Sequence, residues 1–73
     1  MKIVDLSKIK RGDRILVTVK DEDNKEIYVK EGYFIKIDYP FGRDDPHILI
    51  QISNKRDFST PLAWITKIEK LDN

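Results

Sequence analysis

Apolar and polar side chains alternate in several short runs along this chain, and clusters of Gly, Pro, Asn and Asp separate the runs. Alternation with a period of two places the apolar side chains on one face of an extended strand. Several short strands with turn signals between them are typical of small all-β domains. The pattern predicts five strands, over 14–20, 26–38, 47–53, 58–60 and 66–71, and one helical or 3₁₀ turn over 62–65.

Two of the predicted strands carry a regular set of branched apolar residues on one face. Ile15, Val17 and Val19 share one face of the first strand. The third strand has an equivalent set on one face, with Leu49 and Gln51 opposite. Its members are Ile48, Ile50 and Ile52.

The second predicted strand is about twice the usual length of five or six residues. Gly32 near its middle predicts a sharp bend or a β-bulge, which would let one strand serve both sheets of a small barrel. Before the bend, we expect Ile27 and Val29 to point inward. After the bend the facing stays open, because a slip of one residue exchanges the two faces. The alternatives are Phe34 on one face and Tyr33, Ile35 and Ile37 on the other.

The remaining segments are predicted to be irregular. Residues 39–46 contain two prolines, a glycine and paired aspartates, which interrupt a β-ladder, so they form the longest loop. Residues 21–25 are charged and lie between two β-prone runs, as at a hairpin tip. Residues 1–13 form an irregular lead-in, in which Leu6 and Ile9 could plug the base of the core.

Length and composition limit the organisation of the chain. With 73 residues, a single domain over 1–73 is expected, close to the smallest size that supports its own core. Hydrophobic residues make up 40% of the chain, which is enough for one core and argues against disorder. Cysteine is absent, and no apolar stretch has the length of a signal peptide or membrane span. These features predict a cytoplasmic protein that does not enter a membrane.

The net charge of +1 argues against a strong attraction of the whole molecule to phosphate. The charge is unevenly distributed, however. In residues 1–20, six Lys and Arg side chains face only two carboxylates, a local charge of +4. The run Asp21-Glu22-Asp23 then reverses the sign.

The order of elements resembles the Src-homology-3-like small barrels, a group that includes Sm-like and KOW-type folds. The shared features are five strands, a long bent second strand and a single helical turn before the last strand. The resemblance implies the fold alone, because one fold hosts many functions. It is carried by Gly12-Asp13-Arg14-Ile15-Leu16-Val17, by Glu31-Gly32-Tyr33-Phe34-Ile35-Lys36-Ile37-Asp38, and by Thr60-Pro61-Leu62-Ala63-Trp64-Ile65-Thr66-Lys67-Ile68-Glu69.

Candidate chemistry is sparse, and we predict no catalytic residue, metal site or cofactor. His47 is the only histidine, and it follows Asp44 and Asp45 closely. A hydrolase built around His47 and Asp45 is a distant hypothesis, and a partly exposed histidine at a strand end is the simpler interpretation. The acidic run at the hairpin tip lacks the twelve-residue calcium pattern with its central Gly and terminal Glu.

The first candidate binding surface is aromatic. Tyr39, Phe41 and Arg43 lie in the long loop, and aromatic and Arg side chains often anchor protein interfaces. Phe58 or Trp64 could extend this patch. Alternatively, Tyr39 and Phe41 fold back over an undersized core and Trp64 plugs the end of the barrel.

The second candidate surface is basic and could hold a phosphate backbone. A solvated rim of mixed charge is the alternative, since Asp13 and Asp57 lie within the same runs. Unpaired strand edges offer a further route, including homo-oligomerisation. The basic residues are Lys8, Lys10, Arg11 and Arg14, with Lys55 and Arg56 from another loop.

We therefore expect a noncatalytic binding module or small regulator that contacts a larger protein through the long loop and a barrel edge. A nucleic-acid-binding barrel that uses the basic lead-in is the alternative.

Overall fold

The computed structural model describes residues 6–71, and the first five residues of the predicted lead-in lie outside this range. Within it, the chain forms five β-strands and one 3₁₀ turn, with no α-helix. The elements are β1 Arg14–Asp21, β2 Glu26–Asp38, β3 His47–Ser53, β4 Arg56–Pro61, the 3₁₀ turn Leu62–Trp64, and β5 Ile65–Lys70. No helix in this range has the length and apolar character needed to cross a bilayer.

The strands form one antiparallel sheet in the order β4-β3-β2-β1-β5. The predicted all-β architecture is confirmed, and the bounds of β2 and β3 agree with the prediction. The outer strands β4 and β5 are not paired with each other, so hydrogen bonds do not close the sheet into a barrel. β4 starts earlier than predicted, because Ser53 pairs with Arg56 and confines the turn to Asn54 and Lys55.

The sheet curls so that its inner face encloses a small core. Side chains from β1 and β3, which lie on opposite sides of β2, pack together there with Ile65 of β5. The predicted inward sets on β1 and β3 are confirmed, although Ile52 is only partly buried. Ile9 of the lead-in packs against this core, as expected for a plug at its base. The buried residues are Ile15, Val17, Val19, Ile48, Ile50 and Ile65.

β2 passes very close to β3 at Gly32, and its register with β1 continues through Gly32 without the predicted bulge. An added Cβ there would lie 2.6 Å from the carbonyl oxygen of Gln51, so only glycine allows this approach. The first half of β2 pairs with β1, and the ladder with β3 begins at Tyr33. One long strand therefore belongs to both halves of the curled sheet.

In the part of β2 before Gly32, the side chains face the opposite way from the prediction. Ile27 and Val29 point outward and are 68% and 52% exposed, so their predicted inward orientation is wrong. The inner positions of this half belong to Tyr28, Lys30 and Gly32.

In the part of β2 after Gly32, the residues that face the core match neither predicted set. The ladder with β3 skips Ile35 between Phe34 and Lys36, and this bulge exchanges the faces three residues beyond Gly32. Phe34 before the bulge and Ile37 after it both pack against the core.

Candidate binding surfaces

The loop between β2 and β3, residues 39–46, folds into successive tight turns. The backbone N–H of Tyr39 donates to Oδ1 of Asp38 at 2.9 Å, which starts the first turn. Gly42 has φ +123°, a conformation that L side chains rarely adopt, and its N–H donates to the carbonyl of Tyr39 at 3.3 Å. At the far end, the carbonyl of Pro46 accepts a 2.9 Å bond from the N–H of Leu62. Local turns therefore fold the start of the loop, and its end is bonded to the 3₁₀ turn.

Two large aromatic side chains project from this ordered loop. Phe41 is 78% exposed and Tyr39 is 52% exposed, and Arg43 beside them is also exposed. The Phe41 ring lies beside the His47 ring, with the two centroids 5.5 Å apart. Phe41 therefore leaves most of its surface in water instead of entering the core.

The other two aromatic candidates lie in different surroundings. Phe58 on β4 packs edge-to-face on Tyr28 with ring centroids 6.2 Å apart, and the Lys30 ammonium lies 5.5 Å from the Phe58 centroid. Trp64 in the 3₁₀ turn is partly buried against the core. The structure therefore groups Phe58 with the first half of β2, and it gives Trp64 a packing role.

His47 is buried at the base of the loop, where the sequence predicted partial exposure. It is 7% exposed, and its Nε2 lies 3.2 Å from Oδ2 of Asp45. The two atoms are not aligned as a hydrogen bond, which leaves Nε2 without a bonded partner in the described residues. Through Phe41 and Asp45, His47 packs the loop onto the start of β3.

A hydrolytic triad needs a base that is hydrogen-bonded to an orienting carboxylate, and Nε2 of His47 and Oδ2 of Asp45 are not aligned for that bond. A hydroxyl or thiol beside the ring would be needed to complete the triad. Within residues 6–71, no cluster of three or more His, Cys, Asp or Glu side chains could hold a metal ion.

The basic residues divide into paired and unpaired groups. Arg14 donates from Nε to Oε2 of Glu31 at 2.8 Å, and this bond raises the pKa of Arg14 above its ordinary value. The backbone N–H of Lys10 donates to Oδ2 of Asp13 at 2.9 Å and holds the Asp13 pKa below its ordinary value. Lys70 adds a cation 3.4 Å from the same oxygen. Arg14 and Asp13 are thus largely compensated.

The side chains of Lys8, Lys10 and Arg11 are exposed on the lead-in. Lys55 and Arg56 are exposed too, but they lie at the turn between β3 and β4. The lead-in joins the sheet elsewhere, where the N–H of Gly12 donates to the carbonyl of Phe34. The predicted basic surface is consequently spread over two separate segments.

The sequence analysis missed an exposed apolar pair, Ile27 and Val29, on the outer face of β2. Alternation located them on one face, but the choice of face depended on pairing with a neighbouring strand. The pairing with β1 identifies the face on which they lie, since Val29 is opposite Thr18 and Ile27 is opposite Lys20. Those partners lie on the polar face of β1.

No protein-family model, curated protein or solved structure matches this chain.

Proposed function

We propose that this chain is a noncatalytic protein-binding module of the Src-homology-3-like small-barrel class. In this proposal the loop segment 39–43 contacts a larger protein. Support for the fold class comes from the strand order β4-β3-β2-β1-β5, the long β2 that pairs first with β1 and then with β3, and the 3₁₀ turn before β5. The sheet then acts as a rigid support for its longest loop.

The observation that carries the proposal is the exposure of Phe41 in an ordered loop. At 78% exposure, its ring contributes little to the core and remains available to a partner. Local turns fold the loop, and the bond from Leu62 to Pro46 ties its end to the 3₁₀ turn, so docking orders fewer additional groups and loses less conformational entropy. Tyr39 and Arg43 supply the amphipathic and cationic neighbours that typically surround a hot spot.

The test is affinity capture from native-source lysate with the parent chain and the variant Phe41→Ala. We expect the parent to retain a defined protein after nuclease treatment and at moderate salt. Phe41→Ala should lose most of that capture, because truncation of a hot-spot aromatic weakens binding by about 2 kcal/mol or more. Its melting temperature should stay within about 4 °C of the parent, since exposed substitutions change stability by about 0.5 kcal/mol or less.

Tyr33→Ala is the matched control, because Tyr33 is 49% exposed but lies on the outer face of β2. The Tyr33→Ala variant should still capture the protein that the parent retains. Equal loss with both variants would reject the loop as the contact. A large fall in melting temperature for Phe41→Ala would instead assign that side chain a structural role.

Nucleic-acid binding is the second candidate, and the exposure of Lys8, Lys10 and Arg11 on one segment favours it. Neighbouring cations on a short segment can neutralise successive phosphates, and such binding weakens steeply with salt. The double variant Lys10→Glu with Arg11→Glu should abolish salt-sensitive retention on a polynucleotide column. A parent chain that passes through the column at low salt would eliminate this candidate.

A further inference from the structure

The first half of β2 has one unpaired edge. Phe34 donates its N–H to Asp13 on the β1 side, which shows that even-numbered residues of β2 bond toward β1. Bonding directions alternate along a strand, so the N–H and C=O groups of Ile27 and Val29 point away from β1. Among the described residues, β3 pairs with β2 only from Tyr33 onward, and no strand pairs with residues 26–31 on that side.

Exposed apolar side chains accompany these free backbone groups. Ile27 and Val29 are 68% and 52% exposed on the outer face of the same segment. Both are β-branched, and such residues stabilise a strand through packing against cross-strand neighbours. An unpaired edge with β-branched apolar residues is a template for another strand.

We propose that this edge pairs with the same edge of a second copy of the chain. The two β2 strands run antiparallel around a twofold axis at Tyr28, which joins two copies of the β5-β1-β2 arrangement into one continuous sheet. Ile27 then lies opposite Val29 of the second copy, and the two residues exchange N–H···O bonds. By symmetry, Val29 exchanges the same bonds with Ile27 of the second copy.

Charge complementarity selects a second copy and this register. The segment Glu26-Ile27-Tyr28-Val29-Lys30 is complementary to its own reverse, because an acid at one end faces a base at the other. Pairing around Tyr28 therefore places Glu26 opposite Lys30 of the second copy twice. A shift that pairs Val29 with itself would place Ile27 opposite Glu31 and lose both charge pairs.

Lys30 restricts which strands can pair with this edge. It points to the inner side, where its ammonium lies 5.7 Å from the Tyr28 centroid and 5.5 Å from that of Phe58. An inward-pointing charge on an edge strand usually opposes pairing with another chain. A partner strand must therefore carry a carboxylate at the facing position, as Glu26 of the second copy does.

Sedimentation equilibrium over a wide concentration range tests this proposal with the full chain. We expect a reversible shift from 8.6 kDa to twice that mass. In parallel, amide chemical shifts in a concentration series should change most in residues 26–31. Val29→Pro removes an edge donor without touching the bonds to β1, and it should leave the chain folded and monomeric.

Charge reversal tests the register. Glu26→Lys and Lys30→Glu should each weaken association roughly tenfold or more, because like charges then face each other in both symmetric pairs. The double variant should restore association. Glu22→Lys at the hairpin tip is the matched control for net charge and should associate like the parent.

A parent chain that stays at 8.6 kDa at every concentration overturns the proposal. Association that survives Val29→Pro, or a double variant that remains as weak as the single ones, also overturns it. Chemical-shift changes confined to 39–43 would point to self-association through the loop instead.

Discussion

Gly32→Ala tests the close approach of β2 to β3 most directly. The new Cβ would lie 2.6 Å from the Gln51 carbonyl oxygen, 3.1 Å from its carbon and 3.2 Å from Cγ2 of Ile52. Two of these atoms belong to the backbone and cannot rotate away. Relief of the clash requires β2 and β3 to separate at the start of their ladder, where Tyr33 pairs with Gln51.

The magnitude follows from opposing contributions. Overpacking of this kind costs about 1–3 kcal/mol, and a weakened ladder hydrogen bond adds about 1 kcal/mol. Alanine reduces the conformational entropy of the unfolded chain, which returns about 0.4–1 kcal/mol. The net loss should be about 2 kcal/mol, a large share of the roughly 4–11 kcal/mol expected for a domain of this length.

The assay is urea unfolding followed by circular dichroism and by the fluorescence of Trp64, together with the melting temperature. For a domain of this size, the expected loss lowers the melting temperature by roughly 8–16 °C. Lys36→Ala, an exposed position on the same strand, is the control and should change it by only a few degrees. A Gly32→Ala variant as stable as the parent would refute the close approach.

Three further predictions concern other parts of the fold. Ile50→Ala removes a fully buried side chain and should lose about 2–5 kcal/mol of unfolding free energy, whereas Ile27→Ala, at 68% exposure, should lose far less. The Oγ1 of Thr60 is buried without a hydrogen-bond partner in the described residues, so Thr60→Val should be neutral or stabilise by up to about 1 kcal/mol in urea unfolding. The Asp13 pKa is held below its ordinary 3.8, chiefly by the Lys10 N–H, so the carboxylate stabilises the fold above that pH and loses its effect as pH falls below it. Asp13→Asn should therefore lower the melting temperature more at pH 7 than near pH 2, and an equal decrease at both pH values would contradict this assignment.

The core of the fold could be predicted from local patterns. Ile15, Val17 and Val19 share one face of β1, while the opposite face has only Leu16 as an apolar residue, so the first face is the one to bury. The turn at 21–25 followed from its composition. There, Oδ1 of Asp21 accepts the N–H groups of Asp23 and Asn24, a local bond that the sequence encodes directly.

The candidate loop was also predictable as a loop, because Pro40, Gly42 and Pro46 interrupt a ladder. The exposure of Phe41 and the burial of His47 were not predictable. Both depend on how the loop lies on the start of β3, through the contacts of His47 with Phe41 and Asp45. The basic surface likewise depended on tertiary pairing, since Glu31 engages Arg14 across the sheet.

By itself, the amino-acid sequence determined the all-β class, the positions of the strands and the residues that share a face. These properties depend on neighbours within a few positions, through strand alternation and turn chemistry. Only the tertiary structure decided which face of β2 points inward, because the bulge at Ile35 and the approach of Gly32 to Gln51 involve a second strand. That decision exposes Ile27 and Val29 and leaves the edge of β2 free, since a slip of one residue exchanges core and surface along a strand.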